Sequence, residues 1–211
     1  PTIGFDINKK RIDELDSGHD STGELTKESL NVLKQNIEFS FDCNDLKKSN
    51  TYIITVPTPI DKSNNPDLSY LKSASKLVGK LISKNDLVIY ESTVFPGATE
   101  EICVPILEHE SGLFLNKNFF CGYSPERINP GDKKYTLTNI TKITSGSNRY
   151  ALDRVDNLYS SIIKAGTHKA PSIKVAESAK VIENIQRDVN IALINELSMI
   201  FDKMDLDTNE I

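Results

Sequence analysis

Short β-rich runs alternate with helical stretches along this chain, and that alternation narrows its possible folds more than any other feature. TIGFD (2–6), IEFSF (37–41), TYIITVPTP (51–59), DLVIYESTV (86–94), NFFCGYSPE (118–126) and TKITSGS (141–147) read as strands. β-branched and aromatic residues dominate them, and turn residues end them. Helical patterns fill the intervals at NKKRIDELDSG (8–18), LTKESLNVLKQ (25–35), DLSYLKSASKLVGKLI (67–82), PGATEEICVPILEHES (96–111) and RYALDRVDNLYSSII (149–163). Leu71, Leu77, Val78 and Leu81 repeat at helical spacing, and Pro105 is expected to kink or split its helix. From Ser172 to Met204 there is neither Pro nor Gly, so one helix of about 50 Å is expected. The fold expected is α/β: a partial Rossmann-like, doubly wound parallel sheet followed by a long central helix.

Composition excludes several classes. The 211 residues are 38% hydrophobic and 26% charged, enough to bury a core. Net charge is −5 with no basic block, which argues against binding nucleic acid through its phosphates. Cys43, Cys103 and Cys121 form no C-x-x-C pair. They suggest free, mostly buried thiols and a cytoplasmic location, with no disulfide framework and no metal site. No apolar run is long enough to span a membrane. The chain opens as if inside a strand, which leads us to expect a piece of a longer protein.

In open α/β sheets, ligands bind beyond the carboxyl ends of the strands. Asp6 stands at such an end, where a carboxylate can accept hydrogen bonds from a ribose diol and repel a 2′-phosphate, favouring NAD. It can equally cap the following helix. Arg11 either flanks an adenosine or lies in solvent. Val56, Pro57, Thr58 and Pro59 form a stiff loop, suited to wall a flat ligand or simply to end a strand. Ser92 and Thr93 precede a helix start, where hydroxyls and N–H groups hold phosphate or ribose, or merely cap. Glu126 lies between two prolines, either a constrained base or a solvated turn residue.

Lys180 and Asn184 sit one turn apart on the long helix. With Lys180 at zero and 100° per residue, Asn184 falls at about 40°. Ile182, Ile185, Val189, Leu193, Leu197 and Ile200 fall at about 140–260°. Lys180 and Asn184 therefore share a face opposite that stripe, either solvated or catalytic. Ile191 and Ile194 lie on the Lys180 side, which implies a helix covered on several faces.

The order of Asp6, VPTP, ESTVFPGATEE, GYSPERINPGD and AESAKVIENIQRDVNIALINE closely resembles the UDP-glucose/GDP-mannose dehydrogenase family over essentially the whole chain. VPTPIDK, GYSPERINPGDK and AGTHKA are similar to its branch that oxidises UDP-N-acetylhexosamines to uronic acids.

This resemblance implies NAD as cofactor and a UDP-sugar, UDP-N-acetylglucosamine, as substrate, with surface polysaccharide biosynthesis as the setting. It implies an NAD-binding domain over 1–168 and a central helical dimerisation domain over 169–211, each truncated, in a homodimer. Asp6 and Arg11 resemble the adenosine-ribose contacts. Val56, Pro57, Thr58, Pro59, Ser92, Thr93 and Val94 resemble the cofactor-lining stretches, with Thr93 also near the catalytic water. Glu126 resembles the family's catalytic glutamate. Lys180 and Asn184 resemble the pair that binds the reacting oxygen, and with Glu126 and Arg127 they form the substrate set. The reaction implied is a double oxidation of a sugar CH2OH to a carboxylate. In it a cysteine forms a thiohemiacetal and then a thioester, which water hydrolyses.

The chain departs from that pattern in three ways. It contains neither the glycine fingerprint nor the Gly-Gly-His-Cys phrase, and Pro130 stands where some branches carry a second acid. Two alternatives stay open: a β-hydroxyacid or 6-phosphogluconate-type dehydrogenase, which shares K-x-x-x-N, and a non-catalytic binding or dimerisation module.

Overall fold

The structure, a computed structural model, describes residues 2–127 and 137–211. β1 (Thr2–Phe5) pairs in parallel with β2 (Ile37–Ser40), with α1 (Lys9–Asp16) and α2 (Lys27–Leu33) between them. A second sheet has the order β3 (Thr51–Ile54), β4 (Leu87–Tyr90), β5 (Phe120–Tyr123), β6 (Lys142–Gly146), β7 (Thr167–Lys169). β3, β4 and β5 are parallel, as are β6 and β7. β6 runs antiparallel to β5, a departure from an all-parallel sheet. Parallel partners need a long crossover, usually a helix, whereas the NPGDKKYTLTN stretch before β6 carries no helical periodicity.

The five-stranded sheet is covered on both sides, which explains why β4 and β5 read as unbroken apolar runs. On one face Tyr52, Ile54, Val88, Tyr90, Cys121 and Tyr123 pack with residues of α3 (Ser69–Gly79), α4 (Val104–Ser111) and the start of α6 (Ile173–Lys203). On the other, Leu87, Ile89 and Phe120 pack with Ala151, Val155 and Tyr159 of α5 (Arg149–Ser160). Each such buried side chain contributes about 1.5–3 kcal/mol. α5 lies close on the sheet, because a Cβ on Gly146 would come within 2.2 Å of the Leu152 backbone nitrogen.

Pro105 divides its helix as expected. A π-helical turn, Thr99–Cys103, leads into α4, and Pro105 sits in α4's first turn, where no N–H is required. Cys103 and Cys121 are buried and Cys43 is exposed. Burial pushes the Cys103 thiol up to about 11, so it is not a nucleophile near neutral pH.

α6 runs 31 residues, about 46 Å. The Ser172 hydroxyl caps it by accepting the Val175 N–H at 3.2 Å. Ile173, Ala176, Glu177 and Lys180 are buried against the body. Further along, Ile182, Ile185, Val189, Ile191, Leu193, Ile194 and Ile200 are all exposed. The apolar stripe thus faces outward within this chain, and it is the Lys180 face that docks. No helix among the described residues is long and apolar enough to cross a membrane.

Candidate active site

Three strand ends and the first turns of α6 build the site. β3 ends at Ile54, earlier than the 51–59 run suggests, and Val56–Pro59 follow as a loop. Beside it, β4 runs into Glu91, Ser92, Thr93 and Val94. The Ser92 hydroxyl donates to the Val56 carbonyl at 2.6 Å and ties these two stretches together. Val94 is buried and Thr93 exposed. The Thr58 hydroxyl is buried without a hydrogen-bond partner among the described residues. Such an atom costs free energy until something meets it.

Gly97 holds a φ of +98° in the loop that opens the π-helical turn, a conformation that suits only glycine there. A Cβ at Gly97 would also meet Glu101 Oε1 at 2.6 Å. The Glu177 carboxylate of α6 accepts the Gly97 N–H at 2.5 Å and the Thr99 N–H at 2.9 Å, fixing this loop to the long helix.

β5 delivers Glu126 and Arg127. Glu126 Oε1 accepts the Arg127 N–H at 2.6 Å, and its Oε2 stands 3.7 Å from Lys142 Nζ. The Arg127 guanidinium reaches α6, with Nε 3.0 Å and Nη2 3.3 Å from the two oxygens of Glu183, a bidentate clamp. It also donates to the Thr141 carbonyl at 3.1 Å. Glu183 precedes Asn184 and receives Arg187 at 3.7 Å, so the Glu126 segment is fastened at the level of Asn184. Asn184 itself is exposed.

Lys180 is buried one turn back. Desolvation lowers its pKa, partly offset by Glu183 and, more weakly, by Glu126, while Arg187 and Arg127 add to the lowering. Glu126 and Lys180 thus act on each other electrostatically. An ammonium whose solvation is partly stripped, with an amide one turn on, is a donor arrangement for an oxygen that develops negative charge.

Asp6 and Arg11 take their contacts locally. Asp6 follows β1 and accepts the Asn8 N–H at 2.7 Å, but the cap of α1 is Asn8. Arg11 pairs with Asp20 at 2.7 Å and with Glu14 at 3.5 Å. The Thr22 hydroxyl, then Arg11, hold the Asp20 carboxyl far below its usual range. Pro130 lies outside the described residues.

Sequence reasoning missed Glu91, Lys142, Tyr159, Glu177 and Glu183. Glu177 was within reach, since 177, 180 and 184 follow helical spacing on one face. Glu91 opens the strand-end run already singled out. Lys142 and Tyr159 join the site only through tertiary packing. No cluster of His, Cys, Asp or Glu suited to a metal occurs among the described residues.

Comparison with known proteins agrees with this architecture. Residues 2–163 match the UDP-glucose/GDP-mannose dehydrogenase family, NAD binding domain, and residues 174–211 match the same family's central domain. Protein CapL of Staphylococcus aureus is 60% identical over 99% of this chain and 49% of its own length. A UDP-N-acetyl-D-glucosamine 6-dehydrogenase of Pseudomonas aeruginosa is 58% identical with the same coverage. The solved UDP-D-ManNAc dehydrogenase of Pyrococcus horikoshii superposes with a TM-score of 0.91 at 34% identity, over 99% of this chain and 50% of that one. The chain therefore spans about half the length of the curated relatives it matches.

Proposed function

Because this chain belongs to the UDP-glucose/GDP-mannose dehydrogenase family, we propose that it forms the first half of an NAD-dependent nucleotide-sugar 6-dehydrogenase. In this reading residues 1–168 are the NAD-binding domain and 169–211 the central helical domain. The substrate is a UDP-N-acetylhexosamine, UDP-N-acetylglucosamine, oxidised at C6 to the uronic acid for surface polysaccharide synthesis. The names of the relatives at 58% and 55% identity support that substrate. The enzyme works in the cytoplasm.

NAD, when bound, accepts hydride from C6. The orphaned Thr58 hydroxyl and the Ser92–Val56 bridge suit a ligand lying across the ends of β3 and β4. Val56, Pro57, Thr58, Pro59, Ser92, Thr93 and Val94 would line it. Asp6 and Arg11 would take the adenosine ribose. Lys180 and Asn184 donate to the C6 oxygen as it gains negative charge. Glu126 orients the water that releases the acid, with Thr93 close by. Arg127 holds the Glu126 segment to α6.

The observation that carries this reading is the Arg127–Glu183 clamp. It ties the segment that carries Glu126 to α6 next to Asn184, which supports reading the carboxylate and the Lys180/Asn184 pair as one site. The exposed stripe of α6 supports a homodimer through that helix. With a net charge of −5, no nucleic-acid partner is proposed, and no membrane partner either.

The test is stoichiometry with the intact enzyme. Two NADH per UDP-N-acetylglucosamine support the proposal. One NADH, with the sugar left at the first oxidation level, supports the β-hydroxyacid alternative.

A further inference from the structure

Lys142 opens β6, a position with no role in the reaction so far described. Only 4% of its side chain is exposed, yet it carries an ammonium into the wall of the site. Its Nζ stands 3.2 Å from Glu91 Oε2 and 3.7 Å from Glu126 Oε2. It also lies 5.0 Å from the centre of the Tyr159 ring. The Tyr159 hydroxyl donates to the other Glu91 oxygen. Four elements meet here: the end of β4, the end of β5, the start of β6 and α5.

This exceeds what a structural ion pair needs. Burying an ammonium costs several kcal/mol, and one well-placed carboxylate with hydrogen bonds can offset that. Glu91 is that carboxylate, with one oxygen toward Lys142 and the other accepting the Tyr159 hydroxyl. Lys142 nonetheless reaches a second carboxylate, Glu126, whose side chain is 42% exposed. Lys142 and Tyr159 are buried and the Glu91 side chain is 14% exposed, whereas Glu126 stands farther out toward solvent. The asymmetry makes the trio an anchor and Glu126 the group anchored.

Resting on the reading of Glu126 as the residue that orients the attacking water, we propose that Lys142 is a positioning residue. It holds the Glu126 carboxylate against the wall formed by β4, β6 and α5. Arg127 holds the same segment from α6, so Glu126 is braced from two directions. A displacement of about 1 Å at such a group can cost on the order of a hundredfold in rate.

A double-mutant cycle in the intact enzyme tests this, using Lys142→Met, Lys142→Arg, Glu126→Gln and the Glu126→Gln/Lys142→Met pair. Lys142→Met is expected to lower kcat by about ten- to a hundredfold, leaving KM for the sugar and Kd for NAD within about twofold. Lys142→Arg should recover most of the rate. In the Glu126→Gln background, Lys142→Met should cause no further loss, because its route of action is already gone. If Lys142→Met leaves the Glu91 charge unpaired and prevents folding, Glu91→Gln/Lys142→Met removes both charges and takes its place. Two results overturn the proposal while leaving the Glu126 reading intact: losses that multiply in the double mutant, or a Lys142→Met enzyme with native kcat. A Glu126→Gln enzyme with native kcat removes the reading itself, and the proposal with it.

Discussion

Glu177, wholly buried on the first turns of α6, accepts the backbone N–H of Thr99 at 2.9 Å and so joins the long helix to the loop that carries Thr93. Its other oxygen takes the Gly97 N–H. A carboxylate at the start of a helical segment satisfies donors that the segment leaves open. Burial pulls the Glu177 pKa upward even against those two bonds.

Glu177→Gln turns one acceptor into a donor facing a buried N–H. The expected cost is about 1–3 kcal/mol of unfolding free energy, read from urea denaturation of this chain. NAD affinity should fall as well, because the Ser92–Thr93 stretch loses its tie to α6. Unchanged urea midpoint and NAD affinity would contradict this account of the loop.

Lys180 presents the opposite balance. Its desolvated ammonium has a lowered pKa, so below the ordinary lysine range the unfolded chain holds that proton more readily than the folded one. The side chain therefore costs stability at neutral pH, and the cost disappears as pH rises through the unfolded lysine value. Lys180→Met should melt no lower than the native chain at pH 7, with the gap closing toward pH 10–11. The same change in the intact enzyme should lower kcat by about 10²–10³. A large loss of stability at pH 7 would instead make Lys180 a structural residue.

The two residues also mark how far the sequence could be read. The α/β alternation and the split at Pro105 rest on local chemistry, and α6 runs as its uninterrupted pattern implies, whereas the cap of α1 is Asn8 and not Asp6. β7 was not legible. It spans only Thr167–Lys169, and its pairing with β6 is reinforced by Thr167 donating to Asp156 of α5 at 2.7 Å, a contact between distant elements. The orientation of α6 was half legible. Periodicity separated Lys180 from the Ile182–Ile200 stripe, but one chain alone does not say which face docks, and the greasy face is the outer one. Lys142 and Tyr159 were beyond reach, because the side of the sheet each faces depends on β6 turning back antiparallel.

Ser92 offers a narrower test. Its bond to the Val56 carbonyl joins the loop after β3 to the stretch after β4, one step beyond the Glu91 N–H to Ile54 carbonyl bond. Ser92→Ala should cost about 1 kcal/mol in stability and weaken NAD severalfold in calorimetric titration. Native affinity would show that the two stretches hold their places without it.

The exposed stripe of α6 carries a prediction about assembly. Val189→Asp or Ile185→Asp places a charge in the middle of that surface. Either should shift a sedimenting dimer to monomer without lowering the melting temperature of the monomer. A dimer that persists in both variants would place the interface elsewhere.

The central claim is that Lys180 and Asn184 on one side, and Glu126 on the other, address the same carbon. A structure of the intact enzyme with NAD and a UDP-N-acetylhexosamine measures this directly. The account predicts the C6 oxygen within hydrogen-bond distance of Lys180 Nζ and the Asn184 amide, with Glu126 across the cleft and one water away at most. A C6 oxygen bound by other residues, beyond the reach of both Lys180 and Asn184, would contradict it.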